Sequence, residues 1–227
     1  MRVAFLSEGA TEVGFAPGTR AEEPWRHEFL LKILVERILG VEGRIEPLER
    51  SLLPCLRGNQ PARVCREGAR FIWRCVLYGA EAAVVVIDRD RTPPRERWRE
   101  LCEQRERVKA DPERPLAIPI AIGVAVETIE AWLLADEVAL CDVLGIPRPR
   151  EPMGSPEKLD GAPGEATHPK YVLSRYFARD ANPERRFLDR VVALAQKMSL
   201  DVVARMCPEG FARFRDDVMQ EFGPCFR

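Results

Sequence analysis

The chain has 227 residues, 46% of them hydrophobic and 31% charged, and its formal net charge at pH 7 is −1. These proportions fit an ordinary globular protein with one sizeable domain, or a modest domain with an added lobe. The near-neutral charge excludes a global electrostatic attraction to nucleic acid. No apolar stretch approaches the roughly 20 residues that span a membrane, and the run Arg2–Leu6 is shorter than a signal peptide requires. We therefore expect a soluble protein of the cytoplasm.

The cysteines and histidines do not form a recognisable metal-binding pattern. There are 7 cysteines and 2 histidines, and no two cysteines form a C-x-x-C pair. Cys55, Cys65 and Cys75 recur every ten residues, which is not a metal-ligand spacing. With only His27 and His168 available, a histidine-built zinc or iron site is not expected. Reduced cysteines that serve as small core residues are the expected arrangement.

Strand and helix patterns alternate from the start of the chain. The apolar run Arg2–Ser7 predicts a first strand. Apolar residues at helical spacing from Trp25 to Ile38 predict a helix that Gly40 ends. A short second strand is predicted over Arg44–Leu48 and a second helix over Ala62–Tyr78.

The clearest element is the continuous apolar run Ala82–Ile87, which is typical of a central strand covered on both faces. Pro94–Lys109 predicts a charged helix. Leu116–Val124 predicts a fourth strand, and Pro119 within it indicates an edge strand or a bulge. A further helix is predicted to begin in Glu127–Asp136.

Two arginine-rich clusters within the charged helix raise the question of a phosphate-binding patch. In Arg95–Arg99 and Arg105–Arg107 the arginines alternate with glutamates. This mixture favours a solvated, salt-bridged helix surface over a phosphate-binding patch.

Alternation of strands and helices predicts an α/β fold with a mainly parallel four-stranded sheet flanked by helices, over residues 1–137. From residue 138 to residue 227 the pattern changes. A loop rich in proline and glycine is predicted over Gly145–Thr167. We expect the remainder to be a helical C-terminal lobe packed on the sheet, with helices over Pro169–Ala178, Pro183–Met198 and Asp201–Phe222.

Acidic residues follow three of the predicted strands. They are Glu8 and Glu12 after the first, Asp88 and Asp90 after the third, and Glu127 and Glu130 after the fourth. Ligands of an open parallel sheet bind beyond the carboxyl ends of its strands. The sequence therefore predicts that these carboxylates gather at one end of the sheet.

The spacing within two of these pairs supports a shared site. In an extended segment Asp88 and Asp90 lie on one side, and the intervening arginines lie on the other. On the predicted helix, Glu127 and Glu130 share a face. Crowded carboxylates repel one another unless a cation lies among them. Mg²⁺ prefers such oxygen ligands and leaves room for phosphate oxygens. A bound Mg²⁺ stabilises the negative charge of the phosphate and can activate a water molecule.

Each pair also has an ordinary structural interpretation. Asp88 and Asp90 suit a turn or a helix cap. Glu127 and Glu130 suit a helix N-terminus, where the dipole favours acids. Glu12 alone suits a surface position. The convergence of all three segments favours the metal site.

At these residues the chain resembles the TOPRIM superfamily, the metal-binding domain of topoisomerases, bacterial primases and OLD-type nucleases. Glu8-Gly9 after the first strand and Asp88-Arg89-Asp90 after the third carry that resemblance. The chain looks most like an uncharacterised bacterial TOPRIM-like family related to RloB. That likeness is carried by Glu8–Glu12, Glu127–Asp136, His168-Pro169-Lys170 and Arg205–Pro208.

The resemblance implies a TOPRIM or Rossmann-like fold and a nuclease-type component of a bacterial system for phage defence or DNA processing. It implies Mg²⁺ or Mn²⁺ held by Glu8, Glu12, Asp88 and Asp90. The catalytic residues it implies are Glu8, Glu127 or Glu130, and Lys170. Val13–Glu23 departs from the relatives, because it separates Glu12 from the first helix.

Two rival functions stay open at this point. One is a non-catalytic accessory protein that keeps the fold; relatives of this kind are found beside an ATPase. This chain has no Gly-x-x-x-x-Gly-Lys-Ser/Thr loop, so an ATP-driven step requires a separate subunit. The other is a small-molecule phosphotransferase or phosphatase, which requires a closed pocket. Fold alone does not choose among the three.

Overall fold

The structure is a computed structural model that describes residues 1–7, 27–48, 76–77, 79–89, 92–113, 115–159, 161 and 165–226. Of the predicted site residues, Glu8, Glu12 and Asp90 lie outside these ranges. Most of the predicted helix over Ala62–Tyr78 lies outside them as well, as do Cys55, Cys65 and Cys75.

The four predicted strands form one parallel sheet. They are β1 (Arg2–Ser7), β2 (Glu46–Pro47), β3 (Ala82–Asp88) and β4 (Ile120–Ala125), in the order β2-β1-β3-β4. The apolar run around Val84 and Val85 is central, as predicted, and β4 lies at the border of the sheet that the structure describes, as Pro119 indicates. The α/β class and the parallel sheet flanked by helices are therefore confirmed.

Helices connect and cover these strands. They are α1 (His27–Leu39), α2 (Pro94–Lys109), α3 (Glu130–Leu134), α4 (Glu137–Leu144), α5 (Pro169–Phe177), α6 (Phe187–Lys197), α7 (Leu200–Met206) and α8 (Phe211–Phe222), with 3-10 turns at Pro156–Lys158 and Gly223–Phe226. Gly40 ends α1 with a φ of +66°, a conformation that glycine adopts without steric cost. The single helix predicted over Asp201–Phe222 is wrong: Pro208 has no N–H to donate, and the chain forms a turn between α7 and α8.

Alternate residues of the strands face two different helix layers. One set, named here the lobe face, packs against α1 and α8; it comprises Val3, Phe5, Ala82, Val84, Val86, Ala121 and Ala125. The other set, named the α2 face, packs against α2; it comprises Ala4, Leu6, Ala83, Val85, Ile87, Ile120, Ile122 and Val124. The period of two is the pleat of a strand, and burial of both faces explains why β3 is uniformly apolar.

The helices after residue 138 share the core of the lobe face with α1 and with the strands. α8 approaches β4 closely at Gly123, where a Cβ would lie 2.9 Å from the Phe214 ring. Apolar burial on this face therefore joins the two segments that the sequence divides at residues 137 and 138, and that division itself stays a prediction.

α8 also covers the exposed hydrogen-bonding side of β4 with two acids one turn apart. Asp217 accepts a hydrogen bond from the Ile122 N–H at 2.8 Å, and Glu221 accepts one from the Ile120 N–H at 3.3 Å. Arg105 donates to Asp217 at 2.8 Å. An edge strand with unpaired N–H groups is a site for aggregation, and these carboxylates satisfy two of those groups.

The prediction that the arginine clusters of α2 form a solvated surface is wrong for two members. Arg97 is 1% exposed and Arg105 is 9% exposed. They lie on the inward stripe of α2 with Leu101 and Val108. The apolar stems of arginine pack well there, and the charge of Arg105 is matched by Asp217 from α8.

The described cysteines are free thiols. Cys141 and Cys207 are buried, as expected for small core residues, whereas Cys225 is exposed. Burial raises the pKa of the Cys207 thiol, which keeps it protonated and unreactive.

Candidate functional site

The carboxyl end of the sheet is the end at which β1, β3 and β4 stop. Asp88, the last residue of β3, is aligned with Ala125, the last residue of β4. The Arg89 N–H donates to the Ala125 carbonyl at 2.9 Å and extends this ladder by one bond. Ser7 at the end of β1 is aligned with Val86. The ends of three strands, each followed by an acidic segment in the sequence, therefore lie side by side.

Glu127 is in a turn and not on a helix. Its φ is +64°, the one positive value for a non-glycine residue in the described part of the chain. The Thr128 N–H donates to the Val126 carbonyl at 3.0 Å, which closes this tight turn, and α3 begins only at Glu130. The prediction that Glu127 and Glu130 share a helix face is therefore wrong.

The carboxylate of Glu127 forms an ion pair with the guanidinium of Arg89. The side chains are 26% exposed for Arg89 and 17% for Glu127, so both lie partly below the surface. The sequence prediction separates the arginines from Asp88 and Asp90, and the structure gives Arg89 a different carboxylate as its partner. The charge of Glu127 is thereby largely compensated.

Two buried donors, one in this ion pair and one in the residue that follows Glu127, have no hydrogen-bond partner among the residues that the structure describes. They are Nε of Arg89 and the hydroxyl of Thr128. Thr128 follows Glu127 in the chain and is 5% exposed. A buried hydroxyl without a partner is unfavourable, and such groups are uncommon in native proteins.

Glu130 lies on α3, close to the buried His168 and the partly exposed Lys170. Glu130 is 2% exposed, and its helix α3 packs against α5, which begins just after His168. Burial and the Lys170 ammonium lower the pKa of His168, and the Glu130 carboxylate offsets part of this decrease. The structure therefore brings two predicted residues, Glu130 and Lys170, to one histidine.

His168 was not predicted as a site residue. Its Nδ1 accepts a hydrogen bond from the Lys170 backbone N–H at 3.3 Å, which caps α5 and leaves the ring proton on Nε2. The sequence signal for this cap is the proline that follows, since Pro169 occupies the first turn of α5. The pattern marks a helix start and does not reveal that Glu130 lies nearby.

A further acid near the end of β4, Glu157, fastens the loop before α8. Its carboxylate accepts from the Gly210 N–H at 2.7 Å and from the Glu209 N–H at 3.0 Å. Burial raises the pKa of Glu157, although these two hydrogen bonds favour its charged form. A Cβ at Gly210 would lie 2.8 Å from the Val124 carbonyl oxygen, so this approach requires glycine. Sequence reasoning missed Glu157 because it lies in the predicted loop.

Within the described ranges, no three or more histidine, cysteine, aspartate or glutamate residues form a group that could hold a metal ion. Of the predicted ligands Glu8, Glu12, Asp88 and Asp90, the structure describes Asp88, which is partly buried. The Mg²⁺ or Mn²⁺ site thus stays a prediction. In the same ranges, no helix combines the length and the apolar character needed to cross a membrane.

Comparison with known proteins gives one match. No curated protein and no solved structure matches the chain. The relationship to the TOPRIM superfamily and to RloB stays a resemblance. Residues 21–218 match the family model described as Domain of unknown function (DUF4276). Since this match covers most of the chain, the protein belongs to the DUF4276 family.

Proposed function

We propose that the carboxyl end of the sheet is a divalent-metal site for phosphodiester hydrolysis on nucleic acid, in a nuclease-type component of a bacterial defence or DNA-processing system. The observation that carries the proposal is the alignment of Asp88 with Ala125 and of Ser7 with Val86. It supports a site to which the segments after β1, β3 and β4 each contribute an acid. Ligands of parallel sheets bind at this end.

The donor set fits a hard divalent cation. Asp88 together with Glu8, Glu12 and Asp90 offers carboxylate oxygens, the ligands that Mg²⁺ and Mn²⁺ prefer. When bound, such an ion stabilises negative charge on the phosphate and lowers the pKa of a coordinated water.

The two glutamates after β4 take different roles in this proposal. Glu127 lies at the strand ends beside Arg89 and is the better candidate to orient a water. Glu130 is buried beside His168, and we propose it as a positioning residue that acts through His168 and Lys170. Lys170 is the cation of this group, and its ammonium acts on the same His168 ring as the Glu130 carboxylate.

The alternative is a non-catalytic accessory protein that pairs with a separate ATPase subunit. One observation favours it: the described acids occupy two environments, because Arg89 compensates Glu127 while Glu130 lies with His168. An accessory protein tolerates such separation, whereas a catalyst needs its acids within reach of one metal ion. Nucleic acid as the substrate rests on the family resemblance, since the net charge of −1 does not favour it.

A cleavage assay separates these functions. Plasmid and single-stranded DNA are incubated with Mn²⁺ or Mg²⁺ and either the wild type or Asp88→Asn. The matched control is Asp201→Asn, which removes the same charge from a side chain that is 93% exposed on α7. Cleavage by the wild type and the control, lost in Asp88→Asn, supports hydrolysis. Cleavage that Asp88→Asn retains contradicts the proposed site, and metal binding without cleavage favours the accessory protein.

A further inference from the structure

Arg89 is held just after the end of β3, and one nitrogen of its guanidinium has no hydrogen-bond acceptor among the described residues. Its backbone is fixed by the hydrogen bond to Ala125, and one terminal nitrogen pairs with Glu127. Nε is buried and has no acceptor in the part of the chain that the structure describes. Arg97 and Arg105 also have such an Nε, so this feature alone does not indicate a ligand.

Thr128 is the second, independent observation. Its side chain is 5% exposed, and its hydroxyl has no hydrogen-bond partner within the described ranges. Valine has the same shape and would avoid the desolvation of a hydroxyl group. The presence of threonine therefore indicates an acceptor that lies outside the described residues.

Glu127 connects the two donors. It is bonded to Thr128 in the chain, and its carboxylate contacts Arg89. Its φ of +64° is unfavourable for a residue with a Cβ. Strained backbone of this kind clusters at ligand sites and switches. In this turn the Glu127 carboxylate pairs with one terminal nitrogen of the Arg89 guanidinium.

We propose that Arg89 and Thr128 form a subsite for a phosphate group, and that Glu127 is the internal carboxylate which this phosphate displaces from Arg89. A phosphate matches these donors because a guanidinium binds two of its oxygens while a hydroxyl donates to a third. Displacement would also release the Glu127 carboxylate at the carboxyl end of the sheet, where β3 ends at Asp88. The inference rests on the proposed function and deepens it by naming the residues that recognise the substrate phosphate.

The first test measures inorganic phosphate binding by calorimetry in metal-free buffer. The wild type is expected to bind, and Arg89→Met to weaken binding by about tenfold or more, since a charge-assisted bidentate contact is lost. Glu127→Gln is expected to tighten binding several-fold, because the competing carboxylate is gone. If the Arg89–Glu127 ion pair served only the structure, these two variants would not change phosphate affinity in opposite directions. Arg215→Met and Asp201→Asn, the partners of a surface ion pair of 3.0 Å, are the matched controls.

The second test uses Thr128→Val. The account predicts weaker phosphate binding with an unchanged or higher Tm, because the described protein offers this hydroxyl no hydrogen bond to lose. A lower Tm of Thr128→Val with unchanged phosphate affinity would overturn the subsite. A wild type that does not bind phosphate would overturn it as well. So would Arg89→Met and Glu127→Gln variants that change phosphate affinity in the same direction.

These tests fail separately from the proposed function, because they need neither metal nor cleavage. If phosphate binds and the variants change its affinity as expected, but the protein neither binds Mn²⁺ nor cleaves DNA, the subsite is supported and the hydrolase is rejected. If the protein binds Mn²⁺ and cleaves DNA, but Arg89→Met and Thr128→Val leave the phosphate affinity unchanged, the hydrolase is supported and the subsite is rejected.

Discussion

The hydrogen bonding of buried charged and polar groups differs between the two ends of the sheet. At the amino end of β4, Arg105 and Lys109 meet Asp217 and Glu221, and the same acids accept the free N–H groups of the strand. At the carboxyl end, the Arg89–Glu127 pair stands in a strained turn beside Thr128, whose hydroxyl has no partner among the described residues.

We interpret this difference as a division between an end that stabilises the fold and an end that is a candidate functional site. The amino end uses its carboxylates to complete the hydrogen bonding of an edge strand, and the helix α8 that supplies them belongs to the core. The carboxyl end keeps donors that the described protein does not satisfy. Functional sites commonly carry such local costs, which the rest of the fold must offset.

The largest effect is expected at the amino end. Asp217→Ala leaves the Arg105 charge buried without its main partner and should cost about 3–5 kcal/mol of unfolding free energy, measured by urea denaturation. Asp216→Ala, the adjacent residue with a side chain 75% exposed, is the control and should change stability by less than about 0.5 kcal/mol. Equal losses in the two variants would show that Arg105 does not depend on Asp217.

A smaller loss is expected where α8 meets β4. Gly123→Ala places a methyl group 2.9 Å from the Phe214 ring and 3.1 Å from a Val86 methyl, and such overpacking should cost about 1–3 kcal/mol. Gly223→Ala has no atom within 4 Å of the new Cβ, and it serves as the control in the same thermal melts. If both variants keep the wild-type Tm, the close packing of α8 on the sheet is wrong.

A pH dependence of the unfolding free energy is expected from His168. Because burial first, and Lys170 second, lower the pKa of His168 below 6.5, the folded state favours the neutral ring. The stability that this ring contributes is full above pH 6.5 and is lost as the pH falls from there through the folded pKa. The loss amounts to about 1.4 kcal/mol for each pH unit that separates the folded pKa from the unfolded pKa.

His168→Asn should reduce that decline, because asparagine does not titrate while its side chain keeps a cap for α5. Unfolding free energies of both proteins between about pH 5 and pH 8 test this. An identical pH dependence in the wild type and in His168→Asn would place the titrating group elsewhere.

The smallest stability effect is expected at the carboxyl end itself. Glu127→Gln removes a partly exposed ion pair and should cost at most about 1 kcal/mol. Chemical denaturation beside Asp217→Ala provides the direct comparison. A loss as large as that of Asp217→Ala would show that both ends are built for stability and would remove the contrast between them.

The sequence predicted the fold where the signal is local. The run Ala82–Ile87 and the helix Pro94–Lys109 were recognised within a residue, because β-branched composition and an N-terminal proline act over a few positions. The burial of Arg105 was missed, since its partner Asp217 lies 112 residues further along the chain. From sequence alone, a charged residue is predicted to be exposed until its buried partner is known.

The positions of two candidate residues follow from the same kind of local signal, whereas the site itself stays a prediction. Asp88 and Glu127 lie near one end of the sheet because parallel strands end together. The φ of Glu127 was not foreseeable, since no local preference puts a glutamate in the left-handed region. The approach of Glu130 to His168 depends on how α3 and α5 pack, and helical periodicity does not specify that packing.

Calorimetry of Mn²⁺ binding to the wild type and to Asp88→Ala/Asp90→Ala, with Asp201→Asn as the charge control, tests the metal site most directly. We expect the wild type and the control to bind Mn²⁺ and the double variant to bind it at least about tenfold more weakly. No binding by the wild type, or equal binding by the double variant, would contradict a metal site at the carboxyl end of the sheet.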